Sequence, residues 1–528
     1  MSGRHVRAID FEALSSWHTD TWRGLRVAVF GLGRTGFSVA DTLVELGSEV
    51  LVVTQAADAD RTRMLQVIGA ELVVDETLDG PPERLLEFEP ELVIANPGFP
   101  PGHPILHWAE DEAGLPVWGD IELAWRLRDK VVRPDGTPAD WIAVTGTNGK
   151  TTTTRLAATF LAAAGLRAAP AGNIGVPVLD AIRDPQGFDV LVVELSSHQL
   201  HRVNRHGPAG ELHPYASVCL NIADDHLEWH GSFDAYRAAK AKVYENTRVA
   251  CVYNKDDEET MRMVEEAEVE EGARAIGFGL GVPGPSDFGV IEGILVDRAF
   301  LDERHHTALE LTTAEELAQT GLNAPHIVAN ILAAAALARS YGVETGAIHE
   351  ALKTFQLDAH RIELVAVDRG VTWIDDSKAT NPHAADASLK AFPSVVWIAG
   401  GLLKGVDIDE LVATHAPRLR GVVLIGADRD ALRAAFRAHA PELPLFEVDE
   451  QGVDEQGVGE HSVGGQGAHG QGTGVMGAAV RFAAAVAQDG DTVLLAPAAA
   501  SMDQFADYAE RGRRFAEAVR DRLSGDSE

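Results

Sequence analysis

Val144-Thr145-Gly146-Thr147-Asn148-Gly149-Lys150-Thr151-Thr152 follows an apolar run at Trp141–Val144 and opens a long Ala-rich stretch. A strand that turns through glycines into a helix beginning Gly-Lys-Thr is a phosphate cradle. Its backbone N–H groups and helix dipole hold the phosphates, Lys150 neutralises the β- and γ-oxygens, and the Thr151 hydroxyl can ligate Mg²⁺. The general spacing G-x-x-x-x-G-K-[ST] puts its first glycine where Val144 stands. The loop glycine here is Gly146, so this is a shorter variant. The chemistry this implies is nucleoside-triphosphate binding and phosphoryl transfer.

Other clusters could serve that chemistry. Glu194-Leu195-Ser196-Ser197-His198-Gln199-Leu200 follows the apolar run 189–193, where Glu194 is well placed for the nucleotide's Mg²⁺. A Ser–His hydrolase is disfavoured, because no G-x-S-x-G elbow is present. Asn221-Ile222-Ala223-Asp224-Asp225-His226 follows the run 215–220. His226 and His230 with Glu228 between them suggest zinc, but the zinc-protease order needs Glu directly after the first His, and Leu227 stands there. A single His at a second magnesium site fits better. Gly31-Leu32-Gly33-Arg34-Thr35-Gly36 is a G-x-G-x-x-G turn suited to a pyrophosphate. NAD would want an acid at the end of the next strand, which closes Val53-Thr54-Gln55, so a different diphosphate-bearing nucleotide is preferred over NAD, with a purely structural turn as the alternative. Asp375-Asp376-Ser377-Lys378-Ala379-Thr380-Asn381 reads equally as a polar binding edge or a capped helix start.

Strands are expected at 25–30, 49–53, 71–74 and 91–95, then at 141–144, 189–193 and 215–220, then at 371–374, 394–398, 421–425 and 492–496, with helices between. A charged helix is expected at Asp256–Glu271 and an Ala-rich one at 323–341. The fold class is α/β in three domains. The N-terminal domain (1–117) is Rossmann-like, the central one (118–357) is a P-loop parallel sheet, and the C-terminal one (358–528) is Rossmann-like. Residues 450–475 are rich in Gly, Gln, Glu and His, and read as a disordered insertion with no catalytic part. His461 and His469 within it are idle linker residues rather than metal ligands.

With 528 residues the chain is too long for one ordinary domain. Its 45 Lys and Arg against 80 Asp and Glu give a formal net charge of −35, which argues against a nucleic-acid or polybasic membrane-surface binder. Cys219 and Cys251 are the only cysteines, too few for a disulfide scaffold or a Cys-based metal cluster. The N-terminus shows no signal-peptide pattern and no run is long enough to span a membrane, so a cytoplasmic protein is expected.

Together these motifs resemble the Mur ligase family of peptidoglycan synthesis, ATP-dependent amide-bond-forming enzymes. The resemblance rests on Gly146–Thr151, Glu194 with Ser196–Ser197, Asn221 through His226, His360-Arg361, and Asp376-Ser377-Lys378-Ala379-Thr380-Asn381. It covers nearly the whole chain outside 450–475 and the first ~20 residues. Gly119-Asp120-Ile121-Glu122, Tyr236-Arg237-Ala238-Ala239-Lys240 and Ala500-Ser501-Met502-Asp503-Gln504-Phe505 point within the family to D-glutamate addition onto UDP-N-acetylmuramoyl-L-alanine through an acyl phosphate.

The resemblance implies roles residue by residue. Gly146, Thr147, Asn148, Gly149, Lys150, Thr151, Thr152, Asn330, Arg361 and Asp376 would bind ATP. Thr151, Glu194, His226 and a carbamylated Lys240 would hold two Mg²⁺, and Lys150, Glu194, His226 and Lys240 form the catalytic set. Gly33, Arg34, Thr35, Gly36, Thr54, Asn96, Gly98, Asn173, Ser196 and Gln199 would contact the UDP substrate. Thr380, Lys404, Ser501 and Met502 would contact D-Glu. The expected partners are these small molecules, not nucleic acid or membrane, and the expected state is a monomer whose central and C-terminal domains close on substrate. Four positions depart from the family pattern: Asn96 stands for a common Ser, Ile327 for an adenine-contacting Asn, Met502 for Leu and His198 for Phe. A sister ligase, a folylpolyglutamate synthetase and a non-catalytic nucleotide-binding regulator are the rival readings.

Overall fold

The computed structural model describes residues 9–448 and 474–525. The first sheet holds β1 (Arg26–Phe30), β2 (Glu49–Thr54), β3 (Glu71–Val74), β4 (Leu92–Ala95) and β5 (Val117–Gly119). All pairings are parallel, in the order β3-β2-β1-β4-β5. β1 and β4 are apolar because both faces are covered by helices, so alternation gives way to continuous burial. After β3 the chain crosses to the other side of β1. The carboxyl ends of β1 and β4 therefore flank a topological switch point, where open parallel sheets bind ligands. Gly31 leaves β1 there and Asn96 leaves β4.

The second sheet holds β6 (Asp140–Thr145), β7 (Ala168–Gly172), β8 (Val190–Glu194), β9 (Ala216–Cys219), β10 (Ala250–Asn254), β11 (Arg274–Phe278), β12 (Asp287–Ile291), β13 (Ile294–Asp297) and β14 (Leu309–Thr313). The order is β14-β13-β12-β11-β10-β9-β6-β8-β7, parallel except for the antiparallel edge β12-β13-β14. Glu292 and Gly293 turn β12 into β13 with φ +50 and +83, the doubly left-handed turn that matches strand twist. β6 lies between β8 and β9, so the loops after these three strands meet.

The third sheet holds β15 (Glu363–Asp368), β16 (Val371–Asp375), β17 (Val395–Gly400), β18 (Leu419–Ile425), β19 (Leu445–Glu447) and β20 (Thr492–Leu495). Its order is β15-β16-β20-β17-β18-β19, and only β15 is antiparallel. The last strand in sequence thus inserts between β16 and β17 and brings their three following loops side by side.

The first two sheets belong to one compact unit, ending at Phe355 and excluding Ala324–His326; those three residues and the chain from Gln356 onward form the other. The expected boundary at 117 cuts β5, whose pairing with β4 carries the first sheet on to Gly119. The charged helix expected at Asp256–Glu271 is shorter, Glu258–Glu266: the Asp257 side chain caps its start and Ala267 is already extended. Of the 450–475 stretch, all but Gly474 and Val475 lie outside the described residues, and Val475 opens the helix Val475–Val486. No described helix is long and apolar enough to cross a membrane.

Candidate active site

The phosphate loop leaves β6 with Gly146 at φ +147 and enters the helix Lys150–Ala163 through Gly149 at φ +84. No side chain caps that helix, so its first N–H groups and the positive end of its dipole stay available to an anion. Asn221, after β9, holds the loop. Its carbonyl accepts from Thr147 N (2.9 Å), its Oδ1 accepts from Asn148 N (2.8 Å), and its Nδ2 donates to Asn148 O (3.1 Å). Tyr236 OH meets Thr147 Oγ1 at 2.8 Å. Lys150 Nζ arches back to Gly146 O (2.9 Å) and Thr147 O (2.8 Å). Thr151 is half-buried while the Thr152 side chain is buried, which leaves Thr152 its backbone N–H for a ligand. A Cβ on Gly149 would stand 2.4 Å from Oδ1 of the buried Asn330. With the positive φ this makes Gly149→Ala costly: ATP KM should rise about tenfold or more, at 1.4 kcal/mol per decade, with a lowered melting temperature. Wild-type ATP kinetics in that variant would refute the tight loop–Asn330 fit.

Beside the loop, Lys240 is only 2% exposed. Its Nζ donates to Gly146 O (2.8 Å) and Thr145 Oγ1 (3.3 Å). Burial first, and then the Lys150 cation, bring its ammonium down to about 7. Glu194 closes β8; Asn173 Nδ2 donates to its Oε1 at 3.0 Å, while its buried Oε2 has no partner. An orphaned carboxylate oxygen is what a cation site requires, so Glu194 offers a ligand atom that fits Mg²⁺. His226 adopts φ +53 at the start of a short helix; burial lowers its imidazole, opposed by the Asp225 and Glu228 carboxylates and aided by the Lys150 and Lys240 cations. Its ring meets His198 edge-on at 4.7 Å between centroids, and Trp229 packs on His198 at 4.4 Å. Desolvation, followed by the neighbouring imidazoles, pushes His198 down to about 3 and His230 to about 4. His230 turns Nε2 to Ser197 Oγ (3.0 Å), which is a structural use and not a zinc pair with His226.

At the first sheet's switch point, a Cβ on Gly36 would lie 2.1 Å from Gly31 O and 2.6 Å from Asn96 Nδ2. Only glycine lets the helix Arg34–Glu45 start this close to the strand end. Gly33 is its uncapped N-cap, and Gly33, Arg34 and Gly98 are exposed while Thr35 is half-buried. Thr54 ends β2 and spends its hydroxyl on Ala56 O (3.1 Å). Arg34 donates to Gly175 O.

In the other unit, three loops are tied together by backbone bonds. Ala498 N donates to Ala379 O (2.9 Å), and Ala500 and Leu402 exchange bonds of 3.0 and 2.9 Å. These bring Thr380, Lys404 and Ser501 to one end of the sheet. Lys404, at φ +55, and Met502 are exposed, while Ser501 is buried. The buried Asp376 accepts from Ser388 Oγ and from Ile362 N (3.3 Å). Burial raises it to about 6 against the Ser388 bond and the Arg361 charge. His360 Nδ1 bonds Asp375 Oδ2 at 2.7 Å, which anchors the residue before Arg361.

Residues 144–338 match the Mur ligase middle domain and residues 360–499 the Mur ligase glutamate ligase domain. The chain belongs to the Mur ligase family. It is 67% identical over 515 residues to a ligase of Leifsonia xyli named UDP-N-acetylmuramoylalanine--D-glutamate ligase, spanning 97% of this chain and 95% of that one. The Streptomyces avermitilis ligase of the same name is 51% identical, covering 94% and 98%. Among solved structures, the UDP-N-acetylmuramate-alanine ligase of Thermotoga maritima shares the fold at TM-score 0.52 and 18% identity, covering 94% of this chain and 99% of that one.

Two residues that bear on these loops, Arg61 and Arg511, carry no motif signal. Arg61 places Nη1 3.4 Å from Leu32 O, which adds a cation to the N-terminal turn. The fully buried Arg511 donates to Ser377 Oγ (3.0 Å), Ser377 O (2.9 Å) and Ala499 O (3.1 Å), stapling the loops that carry Thr380 and Ser501. A lone Arg on a terminal helix gives no local pattern. Ile327 is buried in the core, so it offers adenine no polar contact.

Proposed function

We propose that this chain joins D-glutamate to UDP-N-acetylmuramoyl-L-alanine at the expense of ATP, as a cytoplasmic monomer in peptidoglycan precursor synthesis. The observation that carries this reading is the 67% identity, over nearly the full length of both chains, to a ligase named for that reaction. The geometry supports it. A carboxylate is a poor electrophile, so the γ-phosphoryl group of ATP is first transferred to the alanyl carboxylate. The D-Glu amine then attacks the acyl carbon, the tetrahedral intermediate expels phosphate, and the amine's proton is lost to solvent.

Lys150 and the N–H groups of Gly149 through Thr152 would hold the β- and γ-phosphates, and Asn330, Arg361 and Asp376 the rest of ATP. Thr151, Glu194, His226 and Lys240 would hold two Mg²⁺, which when bound offset the charge that builds on the phosphoryl oxygens. Lys240 would do so as a carbamate: its amine nitrogen bonds to the carbon of CO₂ and loses a proton, turning a cation into an anion. Gly33, Arg34, Thr35, Gly36, Thr54, Asn96, Gly98, Asn173, Ser196 and Gln199 would take the UDP substrate. Thr380, Lys404, Ser501 and Met502 would take D-Glu, with Lys404 as a point charge on a carboxylate.

The test is phosphate release from ATP and Mg²⁺ with UDP-N-acetylmuramoyl-L-alanine, comparing D-Glu, L-Glu, meso-diaminopimelate and no amino acid. Release that requires D-Glu supports the proposal. Release with another amino acid assigns a sister step, and ATP binding without release under any condition points to a regulator.

A further inference from the structure

Asp120 follows β5 and is buried, yet lies outside the phosphate, metal and amino-acid groups described above. Its Oδ2 accepts from Gln199 Nε2 at 2.8 Å. Its Oδ1 is buried with no hydrogen-bond partner. Burial raises this carboxyl to about 6, opposed first by the Gln199 bond and then by the N–H groups of Asp120 and Ile121. Gln199 Oε1 in turn accepts from Ser196 N (3.1 Å) and Ser196 Oγ (3.2 Å), and Gln199 N donates to Ser196 Oγ (3.2 Å). Ser196 lies two residues beyond Glu194 at the end of β8.

The Gln199 amide has two orientations. In one, its oxygen meets the two Ser196 donors; in the other, its NH₂ would face them and break the capping box. An acceptor on the far side selects the first orientation, and the Asp120 carboxylate is that acceptor. The contact is built from both sides. A Cβ on Gly119 would stand 3.2 Å from Arg202 Cβ, so glycine is what lets the end of β5 approach the Ser197–His201 helix. Arg202, which closes that helix, donates from Nη1 to Glu110 Oε1 (3.1 Å), a second tie to the segment between β4 and β5. A buried carboxylate with one oxygen unsatisfied costs stability, where an apolar residue would not.

We propose that Asp120 is a positioning residue for the muramoyl nucleotide: by fixing the Gln199 amide it fixes the Ser196 turn that meets this substrate. The inference rests on the proposed function, in which Ser196 and Gln199 contact the UDP substrate.

The experiment measures kcat, the three substrate KM values and thermal melting for wild type, Asp120→Ala, Asp120→Asn, Gln199→Ala and the Asp120→Ala/Gln199→Ala pair. Asp120→Ala should raise KM for UDP-N-acetylmuramoyl-L-alanine about tenfold and leave KM for ATP and D-Glu within about twofold, the scale of one lost hydrogen bond. Its melting temperature should equal or exceed wild type. Asp120→Asn should restore the KM, because its amide oxygen accepts the same bond. The double variant should be no worse than Gln199→Ala alone, as expected of residues acting through one bond. Equal losses in all three KM values, a lowered melting temperature without a KM split, or additive effects would overturn the inference. If wild type itself fails to turn over with D-Glu, the functional reading falls instead, and the two failures are told apart.

Discussion

Replacing Lys150 with alanine will slow ATP-dependent phosphate release by at least about 10³-fold, the scale attached to single cations that face a transferring phosphoryl group. The reason lies in the loop's construction. The helix Lys150–Ala163 has no capping side chain, and Gly146 and Gly149 hold the left-handed or extended turns that point backbone N–H groups inward. Those groups bind phosphate in ground and transition states alike, which lowers KM more than it raises kcat. Lys150 differs because its Nζ is mobile on a four-carbon stem. It now spans the loop to Gly146 O and Thr147 O, and it can follow the charge that builds on the β–γ bridging oxygen as that oxygen leaves with ADP. The loss should therefore fall mainly on kcat, with ATP binding by equilibrium dialysis weakened far less. Lys150→Arg should rescue little, since a planar guanidinium does not fit a space bounded by two loop carbonyls. Turnover within tenfold of wild type in Lys150→Ala would remove the lysine from the reaction.

What the sequence made legible follows from the physics of parallel sheets. Buried parallel strands are continuous apolar runs, so β1, β6, β8 and β17 stand out, and each ends at a polar or glycine-rich motif because ligands sit at strand carboxyl ends. Three edge strands, β7, β15 and β19, were silent. β7 reads Ala-Ala-Pro-Ala-Gly, β15 leaves Leu364 and Val367 exposed, and β19 has three residues, so none carries an apolar run. The antiparallel edge β12-β13-β14 hides for a related reason: its pairing is set by the Glu292-Gly293 turn and not by burial on both faces. In the site, groups that act through a glycine or a strand end were readable from spacing. A group that braces from afar was not: Arg511 reaches Ser377 across 134 residues. Long-range polar bonds leave no periodicity for a local pattern to show.

Removing the Lys240 side chain will cost turnover about 10²- to 10³-fold, and millimolar formate or acetate should restore part of it. The helix Phe233–Ala241 carries Lys240 into a space with Gly146 O, Thr145 Oγ1 and the Tyr236 ring, 5.0 Å from Nζ to the ring centroid. Two lysines, 150 and 240, donate to the same carbonyl of Gly146. As two cations they oppose each other and repel any metal at Glu194. Burial and the Lys150 charge favour the neutral amine of Lys240, and a neutral amine is the form that adds CO₂. The product would be an anion beside Lys150 and the unpaired Glu194 Oε2, which would reverse the local field and complete a cation site. A small carboxylate can enter the space left by Lys240→Ala and supply the same charge, whereas Lys240→Arg keeps a cation there and should not be rescued. Carbon-13 bicarbonate added to CO₂-depleted wild type should give a carbamate resonance that Lys240→Ala lacks, with activity returning in parallel. If Lys240→Ala, shown to be folded by its melting curve, works at near wild-type rate without added acid, Lys240 is only a loop brace. If the variant is inactive, acids fail to rescue it and no carbamate resonance forms in wild type, the lysine acts as an unmodified cation and the metal site must draw its charge from Glu194 and His226 alone.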